Sequence, residues 1–237
     1  FGGYIHDGQY AKAHGHRGIC SESEWKPIAR DLELAAETGC SYHVCHISTK
    51  ESVDLIRKAK AEGLDVTCET GPHYLVMDDS DLQEEGRFKM NPPLRGKEDR
   101  EALVQGILDG TIDMIATDHA PHHRDEKEIE FDQANNGIVG LETSLGLGIT
   151  YLVKTGKLTM SQLIEKMSVA PSEILGIDRG SLGIGDVADL VIFNPNQSYR
   201  VKVADFASKG KNSPYDGFEL WGEVALTVVG GKVSYQR

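Results

Sequence analysis

The sequence lacks a long hydrophobic run, an excess of positive charge and any cysteine pattern. No stretch of roughly 18 consecutive apolar residues occurs, so no segment is expected to cross a membrane as a helix. Lys and Arg total 25 against 37 Asp and Glu, and a net charge of −12 leaves no basic patch for phosphates, which argues against nucleic acid as a partner. The four cysteines, Cys20, Cys40, Cys45 and Cys68, show no C-x-x-C spacing. They read as buried small hydrophobes in a reducing compartment, so a cytoplasmic protein is expected. The G-x-S-x-G elbow, the P-loop and the dinucleotide fingerprint are all missing, which removes support for serine hydrolase, NTPase and dehydrogenase readings. Neither an initiator Met nor a signal-peptide apolar region opens the chain. Phe1-Gly-Gly-Tyr-Ile-His-Asp-Gly8 has the character of mid-loop sequence, and the expectation is a fragment without its N-terminal part.

What is present is a core-forming composition, 39% hydrophobic and 26% charged, suited to a large α/β domain. Ser21-Glu-Ser-Glu24 has capping-box spacing ahead of a helical stripe (Trp25, Ile28, Leu32, Ala35) that stops at Gly39. Ser41–Ile47 is rich in β-formers and predicts a strand in which His46 shares a face with Tyr42 and Val44, opposite His43 and Cys45. A second box, Ser48 with Glu51, predicts a helix over 49–62 with Val53, Ile56 and Ala59 inward. Asp65–Thr70 predicts another strand, ending near His73. The Pro92-Pro93 pair excludes helix and rigidly presents Asn91. A helix follows at 97–108. The order of helix and strand implies parallel strands with helical crossovers.

The most informative stretch is Ile112-Asp-Met-Ile-Ala-Thr-Asp-His-Ala-Pro-His-His123. An apolar strand ends abruptly in a carboxylate and imidazoles, which is where barrels and open α/β sheets keep their chemistry. His46, His73 and Asp118 each stand at or just past a strand end, a pattern that favours a barrel, although the strands are too few to close one. The imidazole of His46 and the carboxylate of Asp118 are suitable zinc ligands, and an Asp can also take a proton from activated water. Downstream, Glu142–Thr155 reads helical, with Gly146 and Gly148 allowing close packing. Thr159 and Gln162 form a third box, and Pro171 suits a first helical turn. From residue 180 the pattern turns to β, with a strand at 188–193 and a hairpin turning at Gly230-Gly231.

Tyr42-His-Val-Cys-His-Ile-Ser-Thr49, Lys89-Met-Asn-Pro-Pro-Leu-Arg95, Ala116-Thr-Asp-His-Ala-Pro-His122 and Gly137-Ile-Val-Gly-Leu-Glu-Thr143 resemble the motifs of the dihydroorotases, cyclic amidohydrolases of the metal-dependent amidohydrolase superfamily. Gly185–Pro195 is similar to the superfamily's closing β segment. The resemblance implies an α/β fold: the C-terminal portion of a (β/α)8 TIM barrel over residues 1–180, then a small β-rich segment at 181–237. It implies reversible hydrolysis of (S)-dihydroorotate to N-carbamoyl-L-aspartate in pyrimidine biosynthesis, with two zinc ions per complete site. His46 and Asp118 match metal ligands, and Asp118 also matches the residue that shuttles the proton. Asn91 and His122 match residues that hold the substrate carboxylate, and Asn136 and Gly137 occupy the place of a backbone contact. The implied partner is a small molecule, with a homodimer or a complex with other pyrimidine enzymes as the expected assembly.

The family's His-x-His pair, its bridging acidic residue or carboxylated lysine, and a further zinc histidine have no counterpart here. His14-Gly-His16 has the spacing alone, within a loop. The chain by itself is therefore expected to be inactive. The alternatives are another cyclic amidohydrolase, an allantoinase or dihydropyrimidinase, and a non-catalytic scaffold related to dihydroorotase.

Overall fold

The structure, a computed structural model, describes residues 2–237. The chain forms two compact units: the first runs to Leu141 and takes in Ala204–Pro214, and the second comprises Glu142–Val203 and Tyr215–Arg237. The overall class is mixed α/β.

The first unit opens with β1 (Ile5–His6), α1 (Gln9–His14) and β2 (Gly18–Ile19), and β1 pairs with β2 in parallel. Then come α2 (Glu22–Thr38), β3 (Tyr42–Val44), α3 (Lys50–Ala61), β4 (Val66–Thr70), the short α4 (Pro72–Val76), α5 (Lys97–Asp109), β5 (Met114–Ile115) and α6 (Arg124–Lys127). Strands β3, β4 and β5 form a parallel sheet in that order. Parallel neighbours need long crossovers, and α3 and α5 supply them. The inward stripe of α3 is as the 3.6 period predicts: Val53 and Ile56 are fully buried and Ala59 nearly so. The sheets do not close into a barrel. β5 is also shorter than the apolar run 112–116, although Asp113 N donating to Cys68 O and Ala116 N to Thr70 O extend its ladder.

Two local expectations are corrected. Ser21 makes no side-chain cap on α2, because its backbone is already helical. Its presumed partner Glu24 turns away from its own helix end and caps the next helix. The Glu24 carboxylate accepts from Ser48 N at 2.9 Å, Thr49 N at 2.9 Å, Thr49 Oγ1 at 3.0 Å and Ser52 Oγ at 2.8 Å, and also from Ser48 Oγ. The N-cap of α3 is accordingly Thr49, one residue later than the Ser48 box predicts. The cysteines differ as well: only Cys68 is buried, while Cys20, Cys40 and Cys45 are exposed.

The second unit begins with α7 (Ser144–Gly148), which continues as a π-helical stretch over Ile149–Val153, then α8 (Met160–Ile164) and α9 (Ala170–Leu175). The Thr159/Gln162 capping box is formed, and Pro171 sits in the first turn of α9. The glycines of α7 are needed for contact: a Cβ on Gly146 would lie 2.4 Å from the Tyr199 hydroxyl, and one on Gly148 would lie 2.8 Å from Leu163 Cδ1. Strands β6 (Leu190–Arg200), β7 (Glu219–Val229) and β8 (Lys232–Gln236) form an antiparallel sheet. Gly230 and Gly231, at φ 55° and 77°, make the β7–β8 turn, a conformation two-residue hairpins require.

Candidate active site

The parallel sheet delivers its polar residues to one edge. His46 follows β3 and Asp118 follows β5, both at C-terminal ends, with β4 between them. Among the described residues these are the only non-glycine positions with positive φ, 38° at His46 and 45° at Asp118. The left-handed region is sterically unfavourable for side chains with a Cβ and is occupied where surrounding structure holds it. This turn also removes the predicted parity. The regular strand ends at Val44, so alternation no longer decides where His46 points.

The loop that turns at His46 is anchored on both sides. Ile47 N donates to Glu69 O, and Ser48 and Thr49 are held by Glu24 as above. Arg95, nearly fully buried, donates from Nε to Ser48 Oγ at 3.1 Å and from Nη1 to Ile19 O at 2.9 Å, with Nη2 3.7 Å from Glu24. Sequence spacing offered no signal for either Glu24 or Arg95 in this role.

His73 belongs to the same cluster. Its ring folds over Gly71, where a Cβ would lie 2.4 Å from His73 Cε1, and it packs on Tyr74 at 4.0 Å between centroids. Burial, with a smaller contribution from His46, depresses its pKa to about 3. His73 Nε2 and His46 Nδ1 are both buried without a hydrogen-bond partner. Burying an imidazole nitrogen without a partner is unfavourable unless a proton or metal completes it. The Cys45 thiol is pushed up by burial, then by Glu69 and by Asp118. The free imidazole nitrogen of His46 and the Asp118 carboxylate thus suit a metal ion, but two donors are fewer than catalytic zinc normally takes from protein.

Three of the four predicted substrate-binding positions, His122, Asn136 and Gly137, fall into one loop cluster. His122 Nε2 lies 2.8 Å from Asn136 O, and Nδ1 lies 3.5 Å from Glu126. Gly137, at φ 126°, comes so close to His122 that a Cβ there would be 3.2 Å from Nε2 and 2.5 Å from Ala120 Cβ. Gly137 N donates to Lys89 O, which ties this cluster to the loop carrying the exposed Asn91. Asn91 itself precedes a cis peptide bond to Pro92, whose carbonyl accepts from Tyr74 Oη at 2.6 Å.

Two residues that the sequence did not single out hold these loops together. Lys127 Nζ donates to Lys89 O, Asn135 O and Gly137 O at 3.2, 2.6 and 2.9 Å, and burial lowers its pKa to about 8. Asn212 Nδ2 donates to Ala120 O and Gly137 O, and its Oδ1 accepts from His122 N at 3.1 Å. His119 accepts from Gly140 N at 3.1 Å. His14 and His16 stack near Tyr10, and His16 bonds Tyr4 and Glu84.

Residues 5–234 match the model of the amidohydrolase family. The chain belongs to the amidohydrolase family. Curated relatives include the dihydroorotase of Bacillus licheniformis, 50% identical over 238 residues that take in all of this chain and 56% of that protein. The dihydroorotase of Acetivibrio thermocellus is 51% identical over 233 residues, 98% of this chain and 55% of its own length. The chain spans about half the length of the curated relatives it matches. Among solved structures, the L-hydantoinase (dihydropyrimidinase) from Arthrobacter aurescens superposes with a TM-score of 0.87 at 35% identity, covering 97% of this chain and 52% of that one. A D-hydantoinase from Thermus sp. gives 0.85 at 26% identity, over 97% and 51%.

Proposed function

We propose that this chain serves dihydroorotase chemistry, the reversible hydrolysis of (S)-dihydroorotate to N-carbamoyl-L-aspartate in pyrimidine biosynthesis. The observation that carries this reading is the pair His46 and Asp118. Both are held in left-handed backbone at the same sheet edge, in a chain about 50% identical along its whole length to curated dihydroorotases. The parallel sheet then belongs to the C-terminal portion of a (β/α)8 barrel, and the β-rich tail to a smaller accessory domain. Zinc is the proposed metal, with His46 and Asp118 as two of its ligands and the remaining donors coming from outside this chain. When bound, zinc polarises an amide carbonyl and lowers the pKa of water toward about 7.

The chain's own residues do the rest. An Asp118 carboxylate oxygen accepts the proton of the attacking water and returns it to the departing ring nitrogen, so one group serves both directions of the reaction. Asn91 offers amide N–H donors suited to a substrate carboxylate, while the His122 Nε2–H and the Gly137 N–H, held in this structure by Asn136 O and Lys89 O, would have to exchange those partners for the substrate. Asn136, through its carbonyl, fixes the tautomer of His122 so that Nε2 carries the proton. The setting is cytoplasmic, the substrate a small molecule, and the assembly a homodimer or a complex with other pyrimidine enzymes.

Activity of the full-length protein on dihydroorotate, compared with allantoin and dihydrouracil, tests the substrate. Asp118→Asn is expected to lower kcat by about 10²- to 10⁴-fold with KM little changed. Preference for dihydrouracil would instead support a dihydropyrimidinase, the reading favoured by the hydantoinase structures alone. The 237-residue chain alone is expected to show no turnover.

A further inference from the structure

One side-chain cluster borders the site just described without using His46 or Asp118. On β3 and β4, Val44, Val66, Cys68 and Thr70 are buried. The alternate positions His43, Thr67 and Glu69 face the other side of the sheet, joined there by Cys45 just past β3. The register pairs His43 with Thr67 directly. His43 Nδ1 lies 2.7 Å from Thr67 Oγ1, and Nε2 lies 3.5 Å from Glu69 Oε2. A nitrogen, a sulfur and a carboxylate oxygen of His43, Cys45 and Glu69 all fall within 4.8 Å of one another.

We propose that His43 Nε2, Cys45 Sγ and a carboxylate oxygen of Glu69 bind a borderline-soft divalent cation, Zn²⁺ foremost, through donors other than His46 and Asp118. The donor spacing and the Thr67 contact support it. Bond lengths of about 2.0–2.1 Å to N and O and about 2.3 Å to S put donors around tetrahedral zinc about 3.3–3.6 Å apart. The His43–Glu69 separation of 3.5 Å already meets that, and the sulfur needs a shift of about 1 Å, within reach of a χ1 adjustment at an exposed side chain. His43 Nδ1 lies on Thr67 Oγ1, which leaves Nε2 as the ring nitrogen aimed at the Glu69 carboxylate, and a cation there would take the place of the Nε2 proton. Thr67 then plays the part of the outer hydrogen-bond partner that orients a ligating histidine. Three protein ligands leave a fourth position for water, and binding releases the Cys45 thiol proton to solvent. The competing account is a simple His43–Glu69 ion pair with Cys45 as a bystander.

The test is a titration of the 237-residue chain with Co²⁺ alone, under a phosphine reductant. The expected result is a near-ultraviolet thiolate-to-cobalt charge-transfer band that saturates at one ion per chain and is displaced by Zn²⁺. It is expected to vanish in Cys45→Ser, to need at least tenfold more Co²⁺ in Glu69→Gln, and to persist in Asp118→Asn. Far-UV circular dichroism confirms that each variant is folded, and Glu69→Gln tests the site without touching the thiol. Absence of the band in the parent chain, its survival in Cys45→Ser, or an unchanged titration in Glu69→Gln would overturn the proposal. Loss of the band in Asp118→Asn would also overturn it, by assigning the ion to the strand-end pair. None of these readouts depends on hydrolysis of dihydroorotate, so the two readings stand or fall separately.

Discussion

Glu24→Ala removes the carboxylate that caps α3 from a neighbouring helix. Five donors lose their acceptor: the backbone N–H groups of Ser48 and Thr49 and the hydroxyls of Ser48, Thr49 and Ser52. Hydrogen bonds to a charged acceptor contribute about 1.5–3 kcal/mol each, but five taken together do not add at that rate. Water replaces part of the loss, since the Glu24 side chain keeps 12% of its exposure, while Arg95, 3.7 Å away and 2% exposed, keeps a buried charge with its partner gone. Truncating one side of a buried ion pair costs about 3–5 kcal/mol, and the lower half of that range fits this geometry. With a urea m-value of about 2–3 kcal/mol/M, the midpoint of the first unit should fall by about 1–2 M. The two tryptophans make the assay selective: Trp25 lies in α2 beside Glu24 and Trp221 lies in β7, so a Trp221→Phe background isolates the relevant transition. Hydrogen exchange should show Ser48 and Thr49 amides losing protection first. A midpoint shift below about 0.3 M, with both amides still protected, would refute the capping role.

The metal-free chain should lose stability in acid through His73. The folded state holds this imidazole neutral down to about pH 3, whereas the ordinary value is 6.5. Between those values the unfolded chain binds a proton that the folded chain refuses, so stability falls as pH drops through 6.5, by about 1.4 kcal/mol per pH unit from this group. His73→Gln should flatten the dependence of urea midpoints on pH in that window, and an unchanged slope would count against the assignment. Gly71→Ala should cost about 1–3 kcal/mol in thermal unfolding, because the new Cβ would displace the His73 ring, and a neutral result would mean that the ring moves freely. Ile56→Ala, in the fully buried stripe of α3, should cost about 2–5 kcal/mol by denaturant unfolding.

The sequence announced the elements whose determinants are local. The 3.6 period of α3, the Thr159/Gln162 box and the Gly230-Gly231 turn each depend on residues a few positions apart, and each forms as expected. The Ser21/Glu24 spacing misled because a carboxylate has two choices, its own helix end or a neighbour's, and only tertiary packing decides between them. Lys127 and Asn212 were invisible for a related reason: their partners are main-chain carbonyls, which carry no residue identity. His46 and Asp118 were legible as polar groups ending apolar strands. Their backbone conformation was not, since nothing in their side chains asks for it. His73 was noticed at its strand end but not as part of the site, because its burial depends on Gly71 lying under the ring.

The left-handed backbone at His46 and Asp118 also bears on how such a chain evolves. A residue with a Cβ in that region costs on the order of 1–3 kcal/mol, and glycine relieves most of it. Mutation at either position toward glycine is thus expected to stabilise the fold while erasing one of the two proposed ligands. Glycine at both positions of a relative would then mark a protein that kept its scaffold and lost the proposed ligand pair.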